Sequence, residues 1–359
     1  MKKLLSIPRT FKDFRNIQRS TIADDAFVAI VDFGYQHYAL GDLLTKEVSF
    51  ACEAEDAGLE HIDLVVVIDP ARPSAPAQGF VTPENYPNHF INLAPALLCT
   101  PRMRSFRLLR DGGMTAAFVR EGAKASGVAM WPSYEDQIAR NITYPLGHHA
   151  INAFHAKHGH IPKLAPPRGY EDWARKYRER FLGDKFVVAL NPRQSRLTPN
   201  PAVIYRDADL SEWYEFIRIA GEKYPDVQFL QLGGFDEWRR ELWDLDNVTI
   251  LREQGLSLAH ELAMLTVSDL FIGTSSGFAT MATFTDTPYL ICDIEHFFAP
   301  FAGVEVGAPH YPFGHKDQIL LWGRETSDLL LAHLARHMDR PRTEKASAKI
   351  EIPAPMSLR

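Results

Sequence analysis

Cysteine is scarce in this chain: three in 359 residues, Cys52, Cys99 and Cys292, odd in number and far apart. That excludes a disulfide framework and a cysteine-rich zinc site, and it fits a reducing compartment. Long apolar runs are missing too, since no stretch reaches the roughly 20 residues that span a bilayer. The start, Met1 to Pro8, is basic with a short apolar patch, and Arg9, Lys12, Asp13 and Arg15 follow at once. That patch is too short for the core of a secretory signal. A cytoplasmic location is the expectation, with peripheral association at the inner face of a membrane left open. Positive charge is not in excess either: the net charge is −6. A general nucleic-acid binder, whose contact face is visibly basic, is therefore not expected.

What is present is a soluble, globular composition in a chain long enough for two cores. Phe27–Asp32 reads as a first strand, and Tyr38–Thr45 leads into a helix-like run from Lys46 to Ala57 that Gly58 ends. Ile62–Asp69 is an unbroken apolar run, as in a parallel strand buried on both faces. Strand, glycine turn, helix, strand is a βαβ unit. Phe106–Leu109 and Val128–Pro132 read as further short strands, and a helix is expected from Tyr134. A linker is expected at Lys163–Gly169. Beyond it, Tyr170, Trp173, Tyr177 and Phe181 share a helical stripe. Strands at Phe186–Leu190, Val227–Leu232, Val248–Leu251, Leu270–Ile272 and Tyr289–Cys292 then alternate with helices at Leu210–Tyr224 and Leu256–Thr266. The expected fold class is α/β, with two Rossmann-like domains facing a central cleft. They would cover residues 1–165 and 166–340, with a loose tail at 341–359.

The densest signal is Ser268–Asp286, S-D-L-F-I-G-T-S-S-G-F-A-T-M-A-T-F-T-D. It reads strand, small-residue turn, helix. Amide groups at such a helix start attract anions, phosphate above all. Gly273 and Gly277 would let backbone approach a ligand, and Thr274, Ser275 and Ser276 offer hydroxyls. The plainer reading is an ordinary βαβ turn. A second loop, Asn191–Arg206, places Arg193, Arg196 and Arg206 just after a strand. Guanidinium groups suit bidentate phosphate contacts. Gly233-Gly234-Phe235 would let a base or ribose approach, and Glu295 and His296 would face a sugar. In Asp207-Ala208-Asp209 helix capping is favoured over metal binding. His148, His149, His155, His158 and His160 contain no carboxylate or cysteine, so a polar, partly exposed helix near the domain boundary is favoured over a metal site.

The Ser268–Asp286 stretch resembles the nucleotide-binding loop of GT-B glycosyltransferases, in particular the heptosyltransferase-like group of glycosyltransferase family 9. There the pattern is roughly S-D-x-x-I-G-x-D-S-G, and Ser275 stands where that group often has Asp. Gly41-Asp42-Leu43-Leu44-Thr45 resembles the group's G-D-x-x-x-T start, and Arg193 is similar to the phosphate-binding arginine of fucosyltransferase-like GT-B enzymes. The resemblance implies a nucleotide-diphosphate sugar as donor substrate and a glycan or glycolipid as acceptor. It implies no further cofactor and no bound metal, and inverting transfer in bacterial envelope polysaccharide or lipopolysaccharide assembly. Asp42 would be the catalytic base, with His37 as second choice and helix capping as Asp42's plainer role. A GT-B epimerase or hydrolase of nucleotide sugars, or a non-catalytic binding homologue, are the alternatives.

Overall fold

The computed structural model describes residues 25–34, 36, 38–69, 81–109, 129–131, 147–194, 206–234, 242, 244–294 and 299–338. His37, Arg196, Phe235, Glu295 and His296 lie outside them, as do the helix expected from Tyr134 and the tail from 341. Two parallel sheets organise the chain. The first has strands β1 (Ala26–Asp32), β2 (His61–Val67), β3 (Met103–Leu109) and β4 (Met130–Trp131), in the order β3-β2-β1-β4. Helix α1 (Leu40–Asp56) carries the chain from β1 to β2, and α2 (Tyr86–Leu93) precedes β3. Every residue of β1 is buried, which explains its apolar character.

Helix α3 (His148–His158) and helix α4 (Tyr170–Tyr177) lead to the second sheet. It has six strands: β5 (Phe186–Asn191), β6 (Val227–Gln231), β7 (Val248–Ile250), β8 (Leu270–Thr274), β9 (Tyr289–Cys292) and β10 (Gln318–Leu320). Their order is β10-β9-β8-β5-β6-β7, all parallel. The direction of winding reverses between β5 and β8, where the carboxyl ends of open α/β sheets take ligands. Helices α5 (Leu210–Lys223), α6 (Leu258–Val267), α7 (Gly277–Thr283), α8 (Ala299–Ala302) and α9 (Ser327–Met338) complete the unit. On one face Trp213, Phe216 and Ile217 of α5 pack with Leu330 and Leu334 of α9 against the sheet. The expected pair of Rossmann-like domains is present, and this is a GT-B fold.

Two local readings change. Helix α1 begins at Leu40, not at Lys46. Leu43 and Leu44 are already buried in its first turns, so burial starts the helix early. Gly58 ends it in left-handed backbone at φ +71°, as its position suggested. In the helix after Gly169, a π turn over Arg178–Leu182 replaces the last α turn. The wider turn returns Leu182 to the core and leaves Phe181 61% exposed, so the stripe stops at Tyr177.

The histidine-rich helix is less of a bystander than expected. The His148 ring stacks on Phe284 at 5.5 Å and on Tyr311 at 5.3 Å. Burial lowers its pKa to about 4. Asn152 donates to the carbonyl of Gly303 at 2.8 Å. On the other side Lys157 and His158 reach Asp56 of α1, at 2.6 and 2.7 Å. Helix α3 thus touches both α/β units. Among the described residues, no group of three or more His, Cys, Asp or Glu is arranged to hold a metal ion.

Candidate functional site

The carboxyl ends of β5 and β8 lie side by side, with Asn191 paired to Gly273. Strand β8 runs two residues further than the apolar pattern suggested, so Gly273 and Thr274 are strand residues rather than loop. The reason is packing. A methyl group on Gly273 would lie 2.6 Å from the Phe271 ring and 3.0 Å from the Asn191 carbonyl. Its missing side chain makes room for the core rather than for a ligand.

Beyond β8 each residue has a defined task. The Thr274 hydroxyl is fully buried and accepts from the Arg193 amide at 3.2 Å, tying the loop after β5 to the end of β8. The Ser275 amide donates to the Cys292 carbonyl at 3.1 Å. Ser276 is the N-cap of α7, its hydroxyl accepting from the Ala279 amide at 3.3 Å. Gly277 opens α7.

The Arg193 guanidinium is held by the Asp207 carboxylate at 2.6 Å, both side chains being mostly buried. The Asp207 carbonyl accepts from Arg324 at 3.0 Å, and Arg324 also reaches Asp293 at 3.4 Å. Arg206 lies beside Asp207 in the chain and is half-buried. Asp207 and Asp209 therefore part company. Asp209 caps α5, its carboxylate accepting from the Ser211 amide at 3.1 Å, and the Ser211 hydroxyl helps hold its pKa below the usual range. Asp207 belongs to the arginine cluster. Capping explains one of the two residues and a guanidinium the other.

Sequence reasoning missed Arg324 and Asp293. Asp293 follows β9 directly and is the non-glycine residue with positive φ, +56°, among those described. Strain of this kind collects at ligand sites. Because Thr274 pairs with Cys292, Asp293 stands next to Ser275 on the sheet edge. The carboxylate absent at position 275 thus has a neighbour one strand away. No motif marked it, for a single Asp after a strand is common.

At the end of β6, Gly233 has φ +131°, a conformation open to glycine. Its amide donates to Glu261 of α6 at 2.9 Å, and Glu261, fully buried, also accepts from Arg252 at 2.7 Å. Glu261 fixes the turn that Gly233 makes, and sequence alone gave no sign of it.

The first domain meets this edge through the start of α1. Leu40 lies against Gly277, and Gly41 faces Thr280 of α7. Asp42 is the third residue of α1 and partly exposed. Its N-cap is Ala39, so Asp42 does not cap the helix, although its charge suits the first turn. One turn further on, Lys46 is buried. Burial lowers its pKa to about 8, while the Asp42 charge acts in the opposite direction. The structure therefore brings together Arg193, Thr274, Ser275, Ser276 and Gly277, with Gly233 along the same edge, and sets Leu40 and Gly41, the residues just before Asp42, against α7.

No family model and no curated protein matches the sequence. Solved structures do match. A glycosyl transferase family 9 protein from Veillonella parvula is similar over 90% of this chain and 92% of its own, with 12% identity and a TM-score of 0.50. E. coli ADP-heptose lipopolysaccharide heptosyltransferase II covers 87% of this chain and 98% of its own, with 10% identity and a TM-score of 0.48. E. coli heptosyltransferase WaaC bound to ADP covers 87% and 99%, with 11% identity and a TM-score of 0.47. At such identity the likeness is one of fold.

Proposed function

We propose that this protein is a glycosyltransferase that moves a sugar from a nucleotide-diphosphate sugar to a hydroxyl group of a glycan or glycolipid. The observation that carries the reading is the meeting of two chain segments. The start of α1, with Asp42, lies against the start of α7, to which Arg193 is tied through Thr274. That meeting supports a base from one domain acting with a cation from the other.

The chemistry follows from that arrangement. Asp42 takes the proton of the acceptor hydroxyl as its oxygen attacks the anomeric carbon. The bond from that carbon to the diphosphate breaks, and attack from the opposite face inverts the centre. Negative charge grows on the leaving phosphate oxygens. Arg193, with Arg206 and Arg196 from the same loop, offsets that charge, and Ser276 and Gly277 offer polar contacts at the turn. Cations in this role remove the need for a bound metal. Gly233, whose turn Glu261 fixes, is our candidate for the approach of a ribose or base. The setting we propose is assembly of bacterial envelope polysaccharide at the cytoplasmic side of a membrane. Among the described residues no helix is long and apolar enough to cross one.

Calorimetry with ADP, UDP, GDP and CDP tests the first half of this reading. At least one should bind, and binding by none of them would end it. A panel of nucleotide sugars tests the second half. Release of free sugar or of an epimer without any acceptor would assign the site to hydrolysis or epimerisation instead.

A further inference from the structure

The carboxyl edge of the four-stranded sheet has a second set of polar groups, separate from the arginine cluster. Gln36 follows β1 and is 4% exposed, yet neither Oε1 nor Nε2 of its amide has a hydrogen-bond partner. Tyr86, at the start of α2, is also 4% exposed, and its hydroxyl is likewise without one. Leaving a buried polar group unbonded is destabilising. Two such groups at one edge call for a partner that completes them.

Their surroundings indicate its chemistry. The Gln36 amide N–H of the backbone donates to the Asp32 carbonyl at 2.9 Å, so the loop turns back on the end of β1. Tyr86 is near the same strand end, its phenol pKa raised by burial and then by the charges of Asp69 and Asp32. Aromatic rings line the same loop: Phe33 and Tyr38 stack at 4.0 Å, and Phe90 lies 5.7 Å from Phe33. Phe33 and Tyr38 are buried and form an apolar backing, while an amide and a hydroxyl suit a molecule with hydroxyl edges. An amide offers one donor and one acceptor group side by side, which matches adjacent hydroxyls on a ring. The carboxylates of Asp32 and Asp69 repel a phosphate or an acidic sugar.

We propose that this edge is a binding site for a neutral sugar ring of the acceptor, held by the Gln36 amide and the Tyr86 hydroxyl. The inference rests on the transferase reading for the word acceptor, but the site itself does not. The loop that carries Gln36 runs directly to Ala39, the N-cap of α1, and so to Asp42. A sugar held there presents its hydroxyl close to the proposed base. Gln36 and Tyr86 are thus positioning residues for the acceptor.

The test uses saturation-transfer NMR on the full chain, with methyl glycosides of neutral hexoses, the matching uronic acids and the matching amino sugars as probes. Neutral glycosides should give the strongest transfer. Gln36→Met and Tyr86→Phe should each weaken it about tenfold, a loss of about 1.4 kcal/mol. Both variants remove groups that are unbonded in the free protein, so thermal stability should hold or rise. Equal transfer in wild type and both variants would overturn the proposal. So would stronger binding of the uronic acids, or no binding of any glycoside, which would leave ordered water as the partner. Nucleoside diphosphate calorimetry on the same samples separates the two readings. Diphosphate binding without glycoside binding ends the sugar site alone; glycoside binding without diphosphate binding ends the transferase reading alone.

Discussion

Gly277 and Leu40 meet so closely that a methyl group on Gly277 would sit 2.6 Å from the Leu40 Cβ. The two residues open helices of different α/β units, and their contact fixes how near the start of α1 comes to the β8–α7 turn. Gly277→Ala should therefore push the domains apart. Overpacking of this kind costs about 1–3 kcal/mol, visible as a lower melting temperature and a larger radius of gyration by X-ray scattering. Gly323→Ala is the control, since nothing lies within 4 Å of the position its methyl group would take. Equal effects of the two substitutions would remove the contact from the account.

Arg193 and Asp207 form the central pair of the arginine cluster. Arg193→Ala should weaken nucleoside diphosphate binding between about tenfold and a hundredfold, the worth of a charged hydrogen bond. Asp207→Asn should strengthen it, because a competing carboxylate charge is gone while the guanidinium stays. Titration calorimetry at low salt reads both. Unchanged affinity in Arg193→Ala would move the phosphate elsewhere.

Asp42 has a different signature. Asp42→Asn keeps the shape of the first turn of α1 but cannot take a proton. Donor affinity should stay within about twofold, while transfer falls by about a hundredfold or more, the usual share of a general base. Near-normal turnover in a coupled diphosphate-release assay would transfer the role to another group.

Lys46 and Glu47 are adjacent, both buried, and shifted in opposite directions. Burial lowers Lys46 from 10.5 to about 8. The native state then binds fewer protons than the unfolded chain between those values, so stability should rise with pH across that window. Keeping the buried ammonium charged costs roughly 3 kcal/mol below it, and Lys46→Met should flatten the rise. Burial raises Glu47 well above 4.5, an effect the Thr100 backbone only partly offsets. There the native state holds the extra proton, so stability should fall as pH climbs from 4.5 through the raised value. Glu47→Gln should abolish that fall. Urea unfolding at intervals from pH 4 to 10 checks both slopes, and parallel curves for wild type and variants would contradict them.

The sheets were legible because their strands are buried on both faces, which writes them as apolar runs such as Ile62–Val67 and Leu270–Ile272. Glycine and hydroxyl residues at Thr274–Gly277 marked the turn for the same local reason. What escaped notice depends on contacts distant in sequence. Arg324 meets Asp207 across 117 positions, and Glu261 meets Gly233 across 28. Nothing in the residues beside Arg324 foretells such a partner. The early start of α1 was missed because Gly41 reads as a breaker until Thr280 is seen to fill the space beside it. The π turn at Arg178–Leu182 is silent for a similar reason: a helical stripe does not reveal one added residue.

Helix α3 has a practical meaning for anyone who wants the halves apart. A cut near residue 165 would leave α3 with the first half and strip His148 from Phe284 and Tyr311. The second half would then display Phe284, Tyr311 and Phe313, rings that stack on one another, to water. Such a fragment invites self-association. A cut before Gly147 would keep the strut with the half whose aromatic surface it covers, and mixing the two pieces would ask whether Asp56 and Glu55 can draw it back.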